Sequence, residues 1–340
     1  MKAFVESITR PSRKWTDQFI IAALLSVVLL VAGSVVSDII YKATDAPSLF
    51  EKWLGSDNLA AFFSEYLMFI GIWIITFLFV VVPKSNRPML KAWGYNRDGN
   101  NIKGILAGAL LGFGCNGFCV LMSVLMGDIK LSFYGVNPTI LLAFLLVVMI
   151  QSGAEEITDR LYLYQKLRRR YKSPLFAIII NPVVFMLLHV VNDGFTVLAG
   201  VQIVLVGIIF SVLVYYYNSL WAAIWFHTLW NYTQNIIFGL PNSGRVSDYS
   251  IFKLEAASAQ SGLFYDVEFG VEGSIGSTLV LAVVLAVIIF INRGKGEKHD
   301  YWADAASDAG YSYGYCTLIY RDSQGFWPRP SSALRRPPGR

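Results

Sequence analysis

Charge is scarce in this chain: Asp, Glu, Lys and Arg make up 15% of its 340 residues, where a soluble domain usually holds about 25%. Water is not the solvent around most of it. Cysteine is limited to Cys115, Cys119 and Cys316, which leaves no disulfide framework and no zinc-type spacing with histidine. Cys115 and Cys119 fall inside an apolar run and read as small packing residues. A cleavable signal peptide is also missing, because the first apolar run is too long and no small-residue cleavage site precedes a polar mature domain. The hydropathy pattern carries no internal repeat of the kind that builds many transporters.

What the chain has in abundance is apolar sequence, 55% by composition. It is gathered into charge-free runs at 19–36, 66–82, 104–126, 139–154, 173–191, 195–217, 220–240 and 274–292. Most approach the ~20 residues that a helix rising 1.5 Å per residue needs to cross ~30 Å of hydrocarbon. The expected fold class is therefore all-α, a polytopic membrane protein of about eight transmembrane helices. Within the third run, Gly104, Gly108 and Gly112 recur every four residues, a flat strip on which another helix can lie close.

Lys and Arg alternate between the loops. Lys2, Arg10, Arg13 and Lys14 precede span 1; Lys84 to Lys103 separate spans 2 and 3; Lys166 to Lys172 separate spans 4 and 5; Arg293, Lys295 and Lys298 follow span 8. The intervening loops hold few basic residues. By the positive-inside rule both termini are expected in the cytoplasm, in the cell membrane if the source is bacterial. The net charge of +5 follows from that topology, so no nucleic-acid partner is called for. The chain divides into spans 1–3 (1–137), a polar core of spans 4–7 (138–240), an extracytoplasmic loop with span 8 (241–299), and a tail rich in Tyr, Gly, Ser and Pro (300–340) expected to be cytoplasmic and disordered.

Ionisable residues inside membrane segments cost roughly 2.5 to 3.5 kcal/mol each at the bilayer centre, so each one suggests function. They concentrate on spans 4, 5 and 7: Glu155, Glu156, Asp159 and Arg160; then Phe185 to His189; then His227 to Asn231. Residues four apart share a helix face. Glu156 is thus expected to pair with Arg160 as a structural ion pair, leaving Glu155, about 100° round the helix, to face the histidines. A poorly solvated carboxylate is an effective general base, imidazoles can orient water, and His227 or the Asn231 amide could stabilise an oxyanion. Glu155, His189 and His227 also form a set that could take zinc with one position open to water. The residues alone leave both versions open.

Three motifs in order, Glu155-Glu156-x-x-x-Arg160, Phe185-x-x-x-His189 and His227-x-x-x-Asn231, resemble those of the CAAX protease and bacteriocin-processing family, which includes the type II CAAX prenyl endopeptidases and the abortive-infection proteins. The resemblance covers roughly 138 to 240. It implies an intramembrane endopeptidase in which Glu155 activates water, His189 binds or polarises it, and His227 with Asn231 stabilises the oxyanion. Members have been treated both as metalloproteases and as metal-free, glutamate-dependent proteases. The implied substrates are peptides or lipidated proteins, CAAX-type tails or leader peptides among them. The sequence departs from the usual EExxFRG in that Asp159 and Leu161 replace Phe and Gly. Asp159 lies one turn from Glu155, where a second carboxylate would raise the Glu155 pKa or draw in a cation. That departure keeps a non-catalytic scaffold or immunity protein in view, and an ion-coupled transporter is the third reading. Glu155 is expected only a few residues from the cytoplasmic end of span 4, with helices 4 and 5 projecting into the cytoplasm and their basic link, Lys166 to Lys172, well outside the bilayer.

Overall fold

A computed structural model describes residues 6–10 and 14–303. Eight long helices organise them: α1 (Phe19–Lys42), α2 (Asp57–Val81), α3 (Ile102–Leu125), α4 (Pro138–Arg170), α5 (Pro174–His189), α6 (Val197–Tyr217), α7 (Leu220–Tyr232) and α8 (Ile275–Ile291). α1, α2, α3, α4 and α6 are each long and apolar enough to cross a bilayer. α5 and α8 are equally apolar but shorter, and α7 is extended by a π-helical turn over Thr233–Ile237. The chain is an all-α polytopic membrane protein. Large apolar side chains face outward, among them Leu24, Leu110, Leu142 and Val283, while polar ones such as Asn116 and Gln234 bond to each other inside.

Helix starts follow local chemistry. Asn101, Asn137, Thr196, Ser219 and Ser274 each accept hydrogen bonds from the first free amides of α3, α4, α6, α7 and α8, the ordinary work of an N-cap. Several boundaries differ from expectation. α2 begins at Asp57, not at 66, and is interrupted between Leu67 and Ile70. Ala46–Leu54 forms a further short helix on a stretch read as loop. The long segment before α8 is ordered in part by a two-stranded antiparallel ribbon, β1 (Leu131–Phe133) with β2 (Phe252–Leu254).

Close helix crossings rest on glycine. A Cβ on Gly108 would run into the Ala222 carbonyl, and one on Gly112 into that of Phe226, so the expected glycine strip of α3 is where α7 lies. α7 is consequently the most enclosed helix, buried against α3, α4 and α6. Gly33 of α1 and Gly71 of α2 make the other crossing of this kind.

The largest correction concerns the end of the fourth span. α4 does project past the apolar run, through a π-helical turn at Ile157–Leu163 and on to Arg170, but its basic stretch is no solvated link, since Lys166, Arg168 and Arg169 are buried. Asp17, with no exposed surface, receives Arg169 Nε and Nη2 at 2.5 Å each and Lys166 Nζ at 3.1 Å. Arg169 also bonds the Ser85 carbonyl, and Arg168 pairs with Glu297. Tyr301 and Trp302, assigned to the tail, are buried in the body; the rest of that tail, 304–340, lies outside the described residues.

These bonds gather the segments before α1, after α2, after α4 and after α8 at one end of the bundle, so the eight helices make an even number of crossings. The opposite end joins Arg245 to Glu65 at 3.0 Å and Asp128 to Gln260.

Two outcomes follow from this packing. Gly108→Ala should lower thermal stability in detergent by about 1 to 3 kcal/mol through overpacking, whereas Gly114→Ala, with open space around it, should be neutral or slightly stabilising. Burial alone would raise the Asp17 carboxyl, but Arg169 and Lys166 beside it hold it below its ordinary value. Its stabilisation is therefore present above about pH 4 and lost as pH falls through the depressed folded value. Asp17→Asn should cost about 3 to 5 kcal/mol near neutrality and remove this part of the acid sensitivity, both readable from melting temperature against pH.

Candidate active site

Because α4 continues past the apolar run, Glu155 sits deep within it. At 1.5 Å per residue it lies about 26 Å from Pro138 and about 22 Å from Arg170. The π-helical turn begins immediately afterwards, a feature that accompanies functional sites in many helices. It is held from outside by the Asn181 amide of α5, which donates to the Asp159 carbonyl at 2.7 Å, and from within α4 by Thr158 Oγ1, which donates to the Ala154 carbonyl at 2.9 Å.

Arg160 is fully buried. Its Nη1 reaches Glu156 Oε1 at 3.0 Å and its Nη2 the Gly207 carbonyl at 3.2 Å. The rings of Phe185 and Phe210 cover the guanidinium, each centroid 5.2 Å from Cζ, an arrangement in which cation–π attraction replaces part of the lost hydration. A side chain at Gly207 would intrude on the guanidinium. Asp159 Oδ2 stands 3.6 Å from the same cation, so the acid that replaces the family's Phe meets a positive charge already present.

His227 joins the two glutamates. Its Nδ1 is 3.0 Å from Glu156 Oε1 and its Nε2 3.7 Å from Glu155 Oε2, with the ring stacked on Phe210 at a 5.4 Å centroid distance. An ionised Glu156 can only accept, so Nδ1 carries a proton and Nε2 points to Glu155. Glu156 thus holds the His227 imidazole as well as Arg160, a double task that the expected division between the two glutamates did not include. Glu155 Oε1 accepts from Gln151 Nε2 at 2.7 Å, while no protein donor reaches Oε2.

Asn231 Nδ2 donates to Gln151 Oε1 at 3.2 Å and Ser152 Oγ at 3.4 Å. Its Oδ1 accepts from Asn242, which also donates to Glu272 Oε1 at 3.1 Å. Glu272 is buried and pushed up in pKa by that burial, against bonds from the Ser243 amide and the Trp230 indole. His189 Nδ1 lies 2.9 Å from the Phe185 carbonyl, an acceptor, so Nδ1 donates and Nε2 is left as the free nitrogen.

Glu155, His189, His227 and Asn231 line one cavity of about 390 Å³, with Asp159 and Phe185 also on its wall. Glu156 and Arg160 stand behind it. Gln151, Asn242 and Glu272 were not anticipated. Gln151 is one turn before Glu155 and could have been found by that spacing; Asn242 and Glu272 lie in loop sequence with no periodic signal. Among the described residues, no group of three or more His, Cys, Asp or Glu side chains is arranged to hold a metal ion, so no step below runs through the zinc set of Glu155, His189 and His227.

Carboxylates and imidazoles around a polar cavity inside a helical membrane bundle are groups that can exchange protons with a bound water or ligand. Residues 137–233 match the family model described as type II CAAX prenyl endopeptidase Rce1-like, the family that the three motifs resemble and one of membrane endopeptidases. The matched stretch spans α4 to α7 with all three motifs. No curated protein and no solved structure matches the chain.

Removing Glu156 would leave a fully buried cation unpaired and an imidazole unanchored. Glu156→Gln should cost about 3 to 5 kcal/mol, and the double variant Glu156→Gln with Arg160→Met should melt higher than the single one. An equal or lower melting temperature for the double variant would show that the pair is not what the helix depends on.

Proposed function

We propose that this chain is an intramembrane endopeptidase that hydrolyses a peptide bond with a water activated by Glu155. The observation that carries the reading is Glu155 Oε2, free of protein donors and 3.7 Å from the Nε2 of an imidazole whose other nitrogen is fixed by Glu156. Oε2 itself is buried, so the water enters between the two atoms once the Glu155 or His227 side chain, both on the cavity wall, swings toward the cavity.

Glu155 takes a proton from that water as its oxygen adds to the scissile carbonyl carbon. His227, with Glu156 stabilising its imidazolium form through Nδ1, donates from Nε2 to the oxyanion that forms. His189 Nε2 accepts the water's other hydrogen and aims its lone pair. The C–N bond then breaks, with Glu155 returning its proton to the leaving nitrogen, so that it acts as base and then as acid. Asn231 is a positioning residue in this scheme. Both of its amide contacts go to Gln151 and Ser152, and Gln151 in turn orients Glu155. The oxyanion role implied for Asn231 by the family resemblance would require those bonds to open. The substrate class is a peptide or lipidated protein, with the bilayer as its other partner.

Glu155→Gln keeps shape and hydrogen bonding but removes the base. Purified chain should lose hydrolysis of a peptide library by about 10²- to 10⁴-fold on this change, with its melting temperature unaltered. Undiminished turnover by Glu155→Gln would overturn the assignment, and absence of turnover in the unaltered chain would favour a scaffold. A parallel assay with a chelator tests zinc: loss of activity restored by added zinc would move Glu155, His189 and His227 to the role of ligands.

A further inference from the structure

The cavity reaches the surface at one end of the bundle and through a lateral gap at membrane depth beside the exposed Ser34 of α1, and it is closed at the other end. At the end opening its exposed lining groups are Arg245 and Glu65, whose side chains are 63% and 43% exposed, together with the partly exposed Ser243 and Asn192. All four belong to the end opposite the Asp17–Arg169 network. Toward that network the cavity is closed by the buried Asp159 and Phe210, with Arg160 and Glu156 behind them. His189 agrees: α5 starts beside Lys172, which bonds the Glu6 and Ser7 carbonyls at the basic end, and His189 is its last residue. The chain just after it meets the 241–274 segment at Gly244 and Glu268.

The two ends differ in charge. The closed end carries Arg10, Lys91, Arg97, Lys172 and Lys298 among many others, whereas at the open end Asp and Glu outnumber Lys and Arg, with Asp45, Asp57, Asp193, Asp248 and Glu268. By the positive-inside rule the closed, basic end is cytoplasmic. The cavity's side wall is apolar at membrane depth, formed by Leu30 of α1, Ile72 of α2 and Leu188 and Val206 of α5 and α6.

We infer that the site is served from the extracytoplasmic face, and that its substrate is a bilayer-anchored or translocated polypeptide whose scissile bond reaches the cavity from that side. This rests on the peptidase reading for its chemistry. A polar chain approaching from the cytoplasm meets the closed end. The apolar wall suits the anchored stretch next to the scissile bond, and the acidic rim suits a polar segment emerging beyond it.

The full-length chain carrying Cys316→Ser, with either Arg245→Cys or Lys91→Cys, is placed in right-side-out and in inverted membrane vesicles and treated with a membrane-impermeant maleimide. Position 245 should be labelled at least tenfold faster in right-side-out vesicles, and position 91 in inverted ones. Labelling of position 245 from the cytoplasmic face overturns the inference, whatever the chain's activity. In the same vesicles without cysteine changes, a quenched-fluorescent peptide library should be hydrolysed only in the right-side-out orientation, and Glu155→Gln should abolish it. Glu155-dependent hydrolysis confined to inverted vesicles also overturns it. Hydrolysis in neither orientation, nor in detergent, removes the peptidase reading, and the labelling result alone then decides the side of access.

Discussion

A guanidinium with no exposed surface inside a membrane bundle must find its hydration within the protein, and Arg160 finds it in Glu156, the Gly207 carbonyl and two aromatic faces. That one buried cation ties together four helices: α4, which carries it, α5 through Phe185, and α6 through Gly207 and Phe210, with α7 joined through His227 on the shared carboxylate. Stranding either charge is far more costly than forming the pair is favourable. The node therefore tolerates little change in the relative position of these helices, and a reacting group attached to it inherits the same rigidity.

Glycine and length do the rest. Lipid tails supply no hydrophobic drive between helices, so close packing at small residues sets their contacts, and the Gly104–Gly108–Gly112 strip draws α7 into the middle of the bundle. With α7 enclosed, His227 and Asn231 can face α4 and not lipid. α4, at 33 residues, is long enough to lodge Glu155 well inside and still deliver Lys166 and Arg169 to Asp17. The same helix thus supports the site and closes the basic end beneath it.

The Rce1-like match covers 137–233, yet the cavity extends beyond it. Tyr66, Asn242, Arg245 and Glu272 line it from segments on either side. Glu272 reaches Asn231 through Asn242, so the loop preceding α8 shapes a site whose motifs lie elsewhere. Asp159, the departure from the motif, faces its neighbour Arg160 at 3.6 Å with Oδ2, while its Oδ1 is buried without a hydrogen-bond partner.

Membrane character, the even number of crossings, the polar core and the glycine strip were all legible in the sequence, because apolar run length, charge alternation and four-residue spacing are one-dimensional consequences of helix geometry and bilayer thickness. The three residues proposed to act on substrate or water, Glu155, His189 and His227, were legible too, as was Asn231, since a polar group in an apolar run stands out. The burial of α4 beyond Ala154 was not. Its charged residues read as a solvated link, and only the partners Asp17, Asn86 and Glu297, distant in sequence, make them a buried helix. The double duty of Glu156 and the place of Gln151 and Glu272 were likewise settled by tertiary structure, because a carboxylate's role depends on which donors from other helices arrive within about 3 Å, and no spacing along one chain records that.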